Sequence, residues 1–340
     1  MGRTVLQRLI IDFLTCISTG SITTTFSGVR APVSTIECLR TLTTLALVRP
    51  DAFTYGVLAS NKVLGILLYG PPGTGKTHLA KAVAKESGAT MLEISGADVL
   101  QQYVGEGEKV VRAIFTLARK LDPCIVFIDE ADAIFRARAD DERQYHRELI
   151  NQFLREWDGI ASSTTKGGFM MLATNRPYDL DEAVLRRLPR RILIDIPSVE
   201  DREAILNIHL RGEQLDPDVH LAAIAALTPN HTGSDLKNLC VAAAFACVFE
   251  EVQDVQSAFA SVATSRKALV ATKGMYPAKR TLKAKHFDKA MEEISSTIDS
   301  ASISRIRNFH KRRREQMPER RIELPEVRQS QKSRLNNSPP

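Results

Sequence analysis

Short, predominantly apolar runs punctuate the chain at Gly65–Tyr69, Thr90–Ile94, Cys124–Ile128, Phe169–Thr174 and Arg191–Ile196. Between them, Thr77–Glu86, Lys109–Leu121 and Arg143–Trp157 space their apolar residues three and four apart, the period of an amphipathic helix. A strand that is apolar without alternation is buried on both faces, as in a parallel sheet covered by helices on each side. The alternation of strand and helix thus predicts an α/β domain around a parallel five-stranded sheet. After Pro197 the strand signals stop. Arg202–Leu210, Ala222–Leu227, Ser234–Glu251 and Lys285–Ile294 read as helices of a smaller second domain, with Ser234 placed to cap the longest of them. Order signals weaken over Gln253–Lys283. The expected organisation is an N-terminal segment over 1–24, the α/β domain over 25–197, a small helical domain over 198–298 and a basic, disordered tail over 299–340.

Composition changes this picture in one respect. The chain of 340 residues is 44% apolar and 25% charged, which excludes collagen-like, low-complexity and disulfide-stapled classes. Its net charge of +6 would suggest a polyanion partner, but residues 305–340 alone carry 11 Lys/Arg against 4 Asp/Glu. The remainder is near neutral and holds no nucleic-acid recognition motif, so nucleic acid is not an expected partner. Five cysteines form no C-x-x-C pair, which favours a reducing compartment. The first 36 residues hold one acid (Asp12), three arginines and eleven Ser/Thr. That bias fits a mitochondrial presequence, while the apolar stretch Val5–Ile17 equally fits a helix packed on the domain or a truncated start. No segment has the roughly 18 uninterrupted apolar residues of a membrane span.

The first apolar run leads directly into Gly70-Pro71-Pro72-Gly73-Thr74-Gly75-Lys76-Thr77, followed by a helix. This is G-x-x-x-x-G-K-[ST] in its strand–loop–helix setting. Glycines let backbone N–H groups turn inward around phosphate oxygens, and the helix N-terminus adds unsatisfied donors and positive dipole. Lys76 would reach the β/γ-phosphates, and the Thr77 hydroxyl would ligate magnesium. The run Cys124–Ile128 ends in Asp129-Glu130, at the sheet edge where ligands bind. Asp129 suits magnesium and Glu130 suits polarising a water that attacks the γ-phosphate.

Two further features remain open at this level. Asn175 ends the fourth run, either to hold that water or as a turn residue before Pro177. Arg186 and Arg187 end a short helix, either as solubilising surface charges or as arginine fingers toward a neighbouring subunit's γ-phosphate.

Together these motifs resemble the AAA family of ring-forming ATPases, over about residues 25–296. The resemblance implies ATP and Mg2+ as ligands, Walker A at Gly70–Thr77, Walker B at Ile125–Glu130, sensor 1 at Asn175, and paired arginine fingers at Arg186 and Arg187. It places Gly233 and Ser234, within Thr232-Gly233-Ser234-Asp235-Leu236, in a sensor-2 segment near the base. It assigns Tyr103-Val104-Gly105 to a pore loop that grips a polypeptide substrate in a homo-hexamer. The family's acid–aliphatic–glycine segment near the adenine aligns with Ser27-Gly28-Val29, which lacks the acid. Within the family the chain resembles the group of spastin, katanin and the mitochondrial membrane-protein dislocases, and Leu188-Pro189-Arg190-Arg191 looks most like the dislocase branch. The implied function is ATP-driven unfolding or extraction of proteins, with extraction of mistargeted proteins at the mitochondrial outer membrane as the dislocase case. Dislocases use an N-terminal anchor, and no convincing anchor precedes the core here, so membrane association would go through a missing or degenerate one. The alternatives are microtubule severing or a nucleotide-gated adaptor that does not thread, with a cytoplasmic location.

Overall fold

The computed structural model describes residues 15–48, 55–56, 65–96, 99, 107–121, 123–136, 144–162, 168–259 and 279–316. The five expected runs all form strands: β2 (Gly65–Tyr69), β3 (Thr90–Ser95), β4 (Cys124–Asp129), β5 (Gly168–Thr174) and β6 (Arg190–Leu193). They lie parallel in the order β3-β4-β5-β2-β6. Their side chains alternate between two cores, which is why the runs show no polar alternation. Leu67, Val126, Ile128, Met170 and Leu172 face one layer; Ile66, Leu68, Ile125, Phe127, Phe169 and Met171 face the other.

Helices α1 (Val33–Val48) and α2 (Lys76–Ser87) cover the second face through Leu39, Leu79 and Val83. The first face is covered by α3 (Gly107–Lys120), α4 (Ala131–Phe135) and α5 (Gln144–Ser162). Phe153 of α5 sits at the centre of that layer, edge-on to Phe115 at 5.0 Å, Phe135 at 4.8 Å and Trp157 at 6.3 Å between ring centroids. After the short helix α6 (Glu182–Arg187) and β6, the chain enters the smaller domain. Helices α7 (Val199–His209), α8 (Leu221–Leu227), α9 (Gly233–Phe259) and α10 (Ala284–Glu293) enclose a core of Leu206, Ile224, Leu236, Leu239, Cys240 and Phe287. Burial in that core pushes the Cys240 thiol up to about 12, leaving it an inert hydrophobe.

Four features depart from the sequence reading. The sheet has a sixth strand, β1 (Thr15–Ile17), antiparallel to β3 at the edge, where the pattern over Val5–Ile17 suggested a helix; residues 1–14 lie outside the described ones. The small domain contains a parallel two-stranded ladder of β7 (Gln214–Leu215) and β8 (Thr281–Leu282), too short to give an apolar run. The cap of α9 is Thr232 rather than Ser234: the Thr232 hydroxyl accepts from the Asp235 N–H at 3.2 Å, while the Asp235 carboxylate accepts from the Thr232 N–H at 2.9 Å.

The fourth departure is the largest. Residues 300–316, expected within a solvated tail with at most a brief continuation of the last helix, form a separate helix α11 (Ser300–Gln316), which returns from the small domain onto the sheet. Ile306 is buried in the first-face core and Phe309 packs edge-on to Tyr69 with centroids 5.5 Å apart. The Tyr69 hydroxyl lies 2.7 Å from His310 Nδ1. Arg313 donates to the carbonyls of Arg191 and Pro189 at 3.0 and 2.8 Å, so part of the basic charge caps backbone rather than facing solvent. The three-residue spacing of Ile303, Ile306 and Phe309 was the available signal, masked by the arginines around it. Replacing Ile306 by Ala should cost about 2–4 kcal/mol of stability in urea unfolding. Lys311→Ala, on the exposed side of the same helix, should change it by less than about 0.5 kcal/mol.

Candidate nucleotide-binding site

The parallel arrangement delivers the carboxyl ends of β2, β4 and β5 to one edge, facing the small domain. Between them lies a crevice of about 700 Å³. Its floor is the loop after β2. Gly75 at φ +91° immediately precedes α2, and Gly73 at φ +73° passes under the small domain. A Cβ on Gly73 would stand 2.6 Å from the Thr232 hydroxyl, so only glycine lets the loop and the second domain close together there. The Ser234 N–H donates to the Gly73 carbonyl at 3.1 Å, joining the start of α9 to the loop. The Thr74 hydroxyl donates to the Pro71 carbonyl at 2.9 Å, which sets the loop's curvature.

Lys76 is buried and donates to the Gly70 and Pro71 carbonyls at 3.1 and 2.7 Å. Desolvation lowers its pKa to about 8, against the opposing pull of Asp129 and Asp132. The Thr77 hydroxyl donates to Asp129 Oδ2 at 2.5 Å. A hydroxyl and a carboxylate oxygen brought together beside a phosphate-type loop form the hard-oxygen donor set that magnesium prefers, so these residues fit that ion. Glu130 follows with φ +51°, a left-handed conformation that costs a non-glycine residue of order 1–3 kcal/mol. It is exposed and lines the crevice beside Asp129.

Asn175 also lines the crevice, and its Oδ1 is buried without a hydrogen-bond partner among the described residues. The turn that follows is closed by another residue: the Thr174 hydroxyl accepts from the Arg176 N–H at 2.9 Å and donates to Asp132 at 2.5 Å. The Asn175 Oδ1 is thus not spent on closing the turn.

Gly28 and Val29 of the acid-less segment, with Arg30, line the same crevice, as do Gly233 and Ser234. Arg30 pairs with Asp201 of α7 at 2.6 Å and so ties the segment to the small domain. Several participants escaped the sequence reading. Asp132 is the fourth residue of the Asp129-Glu130-Ala131-Asp132 run, and its spacing from Asp129 was a usable signal. Ile205, Ile208, His209 and Lys237 come from the small domain, and His78 from α2; nothing local marks them. Burial, then neighbouring positive charge that includes Lys237, holds both His78 and His209 below the usual histidine range.

Arg186 and Arg187 are not part of this crevice. Their helix α6 is pinned elsewhere on the α/β domain by buried Val184, by Asp181 accepting from the Ala183 N–H at 2.7 Å, and by Arg191 donating to the Leu185 and Leu188 carbonyls at 2.7 and 3.0 Å. Tyr103, Val104 and Gly105 lie outside the described residues, just ahead of α3.

A glycine-rich loop leading from β2 into a helix start, two acids at the end of β4 one strand away across β5, and a helical lid over the crevice define a P-loop nucleotide-binding domain. A model of the "ATPase family associated with various cellular activities (AAA)" matches residues 66–196, and one of the AAA+ lid domain matches residues 218–259. The chain belongs to the AAA ATPases, in the group that includes spastin. Spastin of Sus scrofa is 45% identical over 216 residues, 63% of this chain and 34% of that protein. The outer mitochondrial transmembrane helix translocase of Xenopus tropicalis is 43% identical over 190 residues, 56% of this chain and 53% of that protein. The crystal structure of the FIGL-1 AAA domain in complex with ADP superposes with a TM-score of 0.72 at 29% identity, covering 91% of this chain and 97% of that one. The chain spans from 26% to 53% of the length of the curated relatives it matches.

The depressed pKa of Lys76 makes nucleotide affinity pH-dependent. The free protein loses this proton as pH rises through about 8, whereas a bound phosphate requires the ammonium. Nucleotide affinity should therefore fall by about ten-fold per pH unit above that point, with proton uptake on binding in titration calorimetry. Lys76→Met should bind more weakly and lack that slope.

Proposed function

We propose that this chain hydrolyses ATP within a hexameric ring and uses the cycle to remodel or extract proteins. The observation that carries the reading is the convergence of Lys76, Thr77, Asp129, Glu130 and Asn175 on one crevice roofed by the small domain. In this reading, backbone N–H groups from Gly73 to Thr77 hold the β-phosphate and Lys76 reaches the β/γ oxygens. Thr77 and Asp129 would hold magnesium, which when bound neutralises charge on the phosphate oxygens. Glu130 polarises the attacking water, and the free Oδ1 of Asn175 accepts a hydrogen bond from it. Gly28, Val29, Gly233 and Ser234 border the base end.

Among the described residues, Arg186 and Arg187 stand outside the crevice, and Arg30, the arginine that lines it, is paired with Asp201. That placement supports a site completed by the α6 of an adjacent subunit, which makes turnover depend on assembly. Tyr103, Val104 and Gly105 would grip the polypeptide in the pore, drawn along as the small domain shifts against the sheet.

The relative named as an outer mitochondrial transmembrane helix translocase favours membrane-protein extraction at that membrane as the particular task. Among the described residues no helix is long and apolar enough to cross a membrane. Severing of microtubules is the second enzymatic reading, favoured by the spastin relatives; a nucleotide-gated adaptor is the non-threading one.

Glu130→Gln should bind ATP with affinity near that of the unaltered chain while turnover falls by at least about 100-fold. Proteins captured on that variant in cells identify the substrate: membrane proteins support extraction, and tubulin supports severing. Normal turnover in this variant would remove Glu130 from the chemistry. Tyr103→Ala should abolish substrate processing and retain basal ATP hydrolysis. An adaptor would be insensitive to the change.

A further inference from the structure

The two arginines that end α6 differ sharply in what they touch. Arg186 is 75% exposed, and among the described residues its one ion pair is to Glu182 one turn earlier, at 3.1 Å between two solvent-facing side chains. Such an i,i+4 surface pair contributes only a few tenths of a kcal/mol and yields readily to a stronger anion. Arg187 has less than half that exposure, at 32%. Its Nε and Nη2 form a two-pronged pair with the carboxylate of Asp158 on α5, at 2.9 and 2.8 Å. Its Nη1 donates to the Ala183 carbonyl at 3.2 Å. All three guanidinium nitrogens are thus committed within the chain, in the planar fork geometry that gives an arginine–carboxylate pair both strength and direction. The same hydrogen bond holds the Asp158 carboxyl below its usual range and raises Arg187.

The pair joins the C-terminal end of α6 to α5, a helix anchored in the core by Phe153 and Trp157. With Arg191 holding the Leu185 and Leu188 carbonyls from the other side, the last turn of α6 is clamped from two directions. Arg186, projecting from that turn, is left with free donors and a fixed base.

We infer that Arg187 is a positioning residue locked to Asp158, and that Arg186 alone is the arginine presented to a neighbouring subunit's nucleotide. This rests on the reading that α6 completes an adjacent crevice, and it divides roles that the sequence motif leaves equal. Asp158 then becomes a contributor to turnover although it touches no nucleotide.

The test compares steady-state ATP hydrolysis by the full chain at saturating protein concentration for Arg186→Gln, Arg187→Gln, Arg187→Lys, Asp158→Asn and the double variant Asp158→Asn/Arg187→Gln, with melting temperatures to confirm folding. Arg186→Gln should lower kcat by at least about 1000-fold with KM little changed, the loss expected of an arginine finger. Arg187→Gln and Asp158→Asn should each lower kcat by no more than about 100-fold, the scale of a misplaced group. The double variant should be no slower than Arg187→Gln alone, since each change removes the same pair. Arg187→Lys should not recover the loss, because an ammonium cannot form the two-pronged bond. If Arg187→Gln matches the loss of Arg186→Gln while Asp158→Asn keeps or raises turnover, Arg187 is itself a finger latched by Asp158 and the division fails. Additive losses in the double variant, or full recovery with lysine, also overturn it. If Arg186→Gln and Arg187→Gln both turn over normally, the reading of α6 as completing a neighbour's site falls, and this inference with it.

Discussion

The burial of β2 between β5 and β6, with helices on both faces, is the constraint on which the site depends. Every residue of this strand is inaccessible to solvent, and parallel pairing aligns Tyr69 with Thr174 and with Leu193. The chain must leave the sheet at Gly70, at the same edge where β4 releases Asp129 and β5 releases Asn175. Parallel order therefore brings together residues more than forty positions apart in sequence. The phosphate loop then needs only glycines at positive φ to turn back into α2 without obstructing the crevice.

The small domain is held to that edge by contacts of a different kind. Its core is separate, and its links at that edge are polar: Ser234 to the Gly73 carbonyl of the phosphate loop, and Asp201 to Arg30 of the Gly28-Val29 segment. Polar links between two independent cores can break and reform without exposing apolar surface, which suits a lid that shifts around a ligand. Helix α11 adds a second tether, from the far end of the small domain to Tyr69, the residue that precedes the phosphate loop. The lid is thus joined to the sheet at both ends of its sequence, and to the same strand end.

Much of the site was legible in sequence because its chemistry is local. Gly70–Thr77 and Asp129-Glu130 carry their meaning in adjacent residues, and their flanking apolar runs identify them as strand ends. Asn175 was legible as a position but not as a role. Its turn could have used either Asn175 or Thr174, and the geometry shows the Thr174 hydroxyl closing it. The cap of α9 was misplaced by two residues for a similar reason. Gly-Ser-Asp reads as a helix start capped by Ser234, but the reciprocal bonds between Thr232 and Asp235 put the cap two residues earlier.

What the chain order alone determined was the α/β layering, the phosphate loop and the acidic strand end, since each follows from periodicity or from contiguous residues. Tertiary structure decided everything that depends on distant segments meeting. It alone placed β1 at the sheet edge, since three residues carry no periodicity. It alone brought His209 and Lys237 to the crevice, because nothing around either residue in sequence refers to a ligand. It turned a run of arginines into a helix docked on the sheet, because Ile306 and Phe309 find apolar partners only when β2 is nearby. And it separated Arg186 from Arg187, which are equivalent as neighbours in a motif, through a carboxylate 29 residues earlier that reaches only one of them.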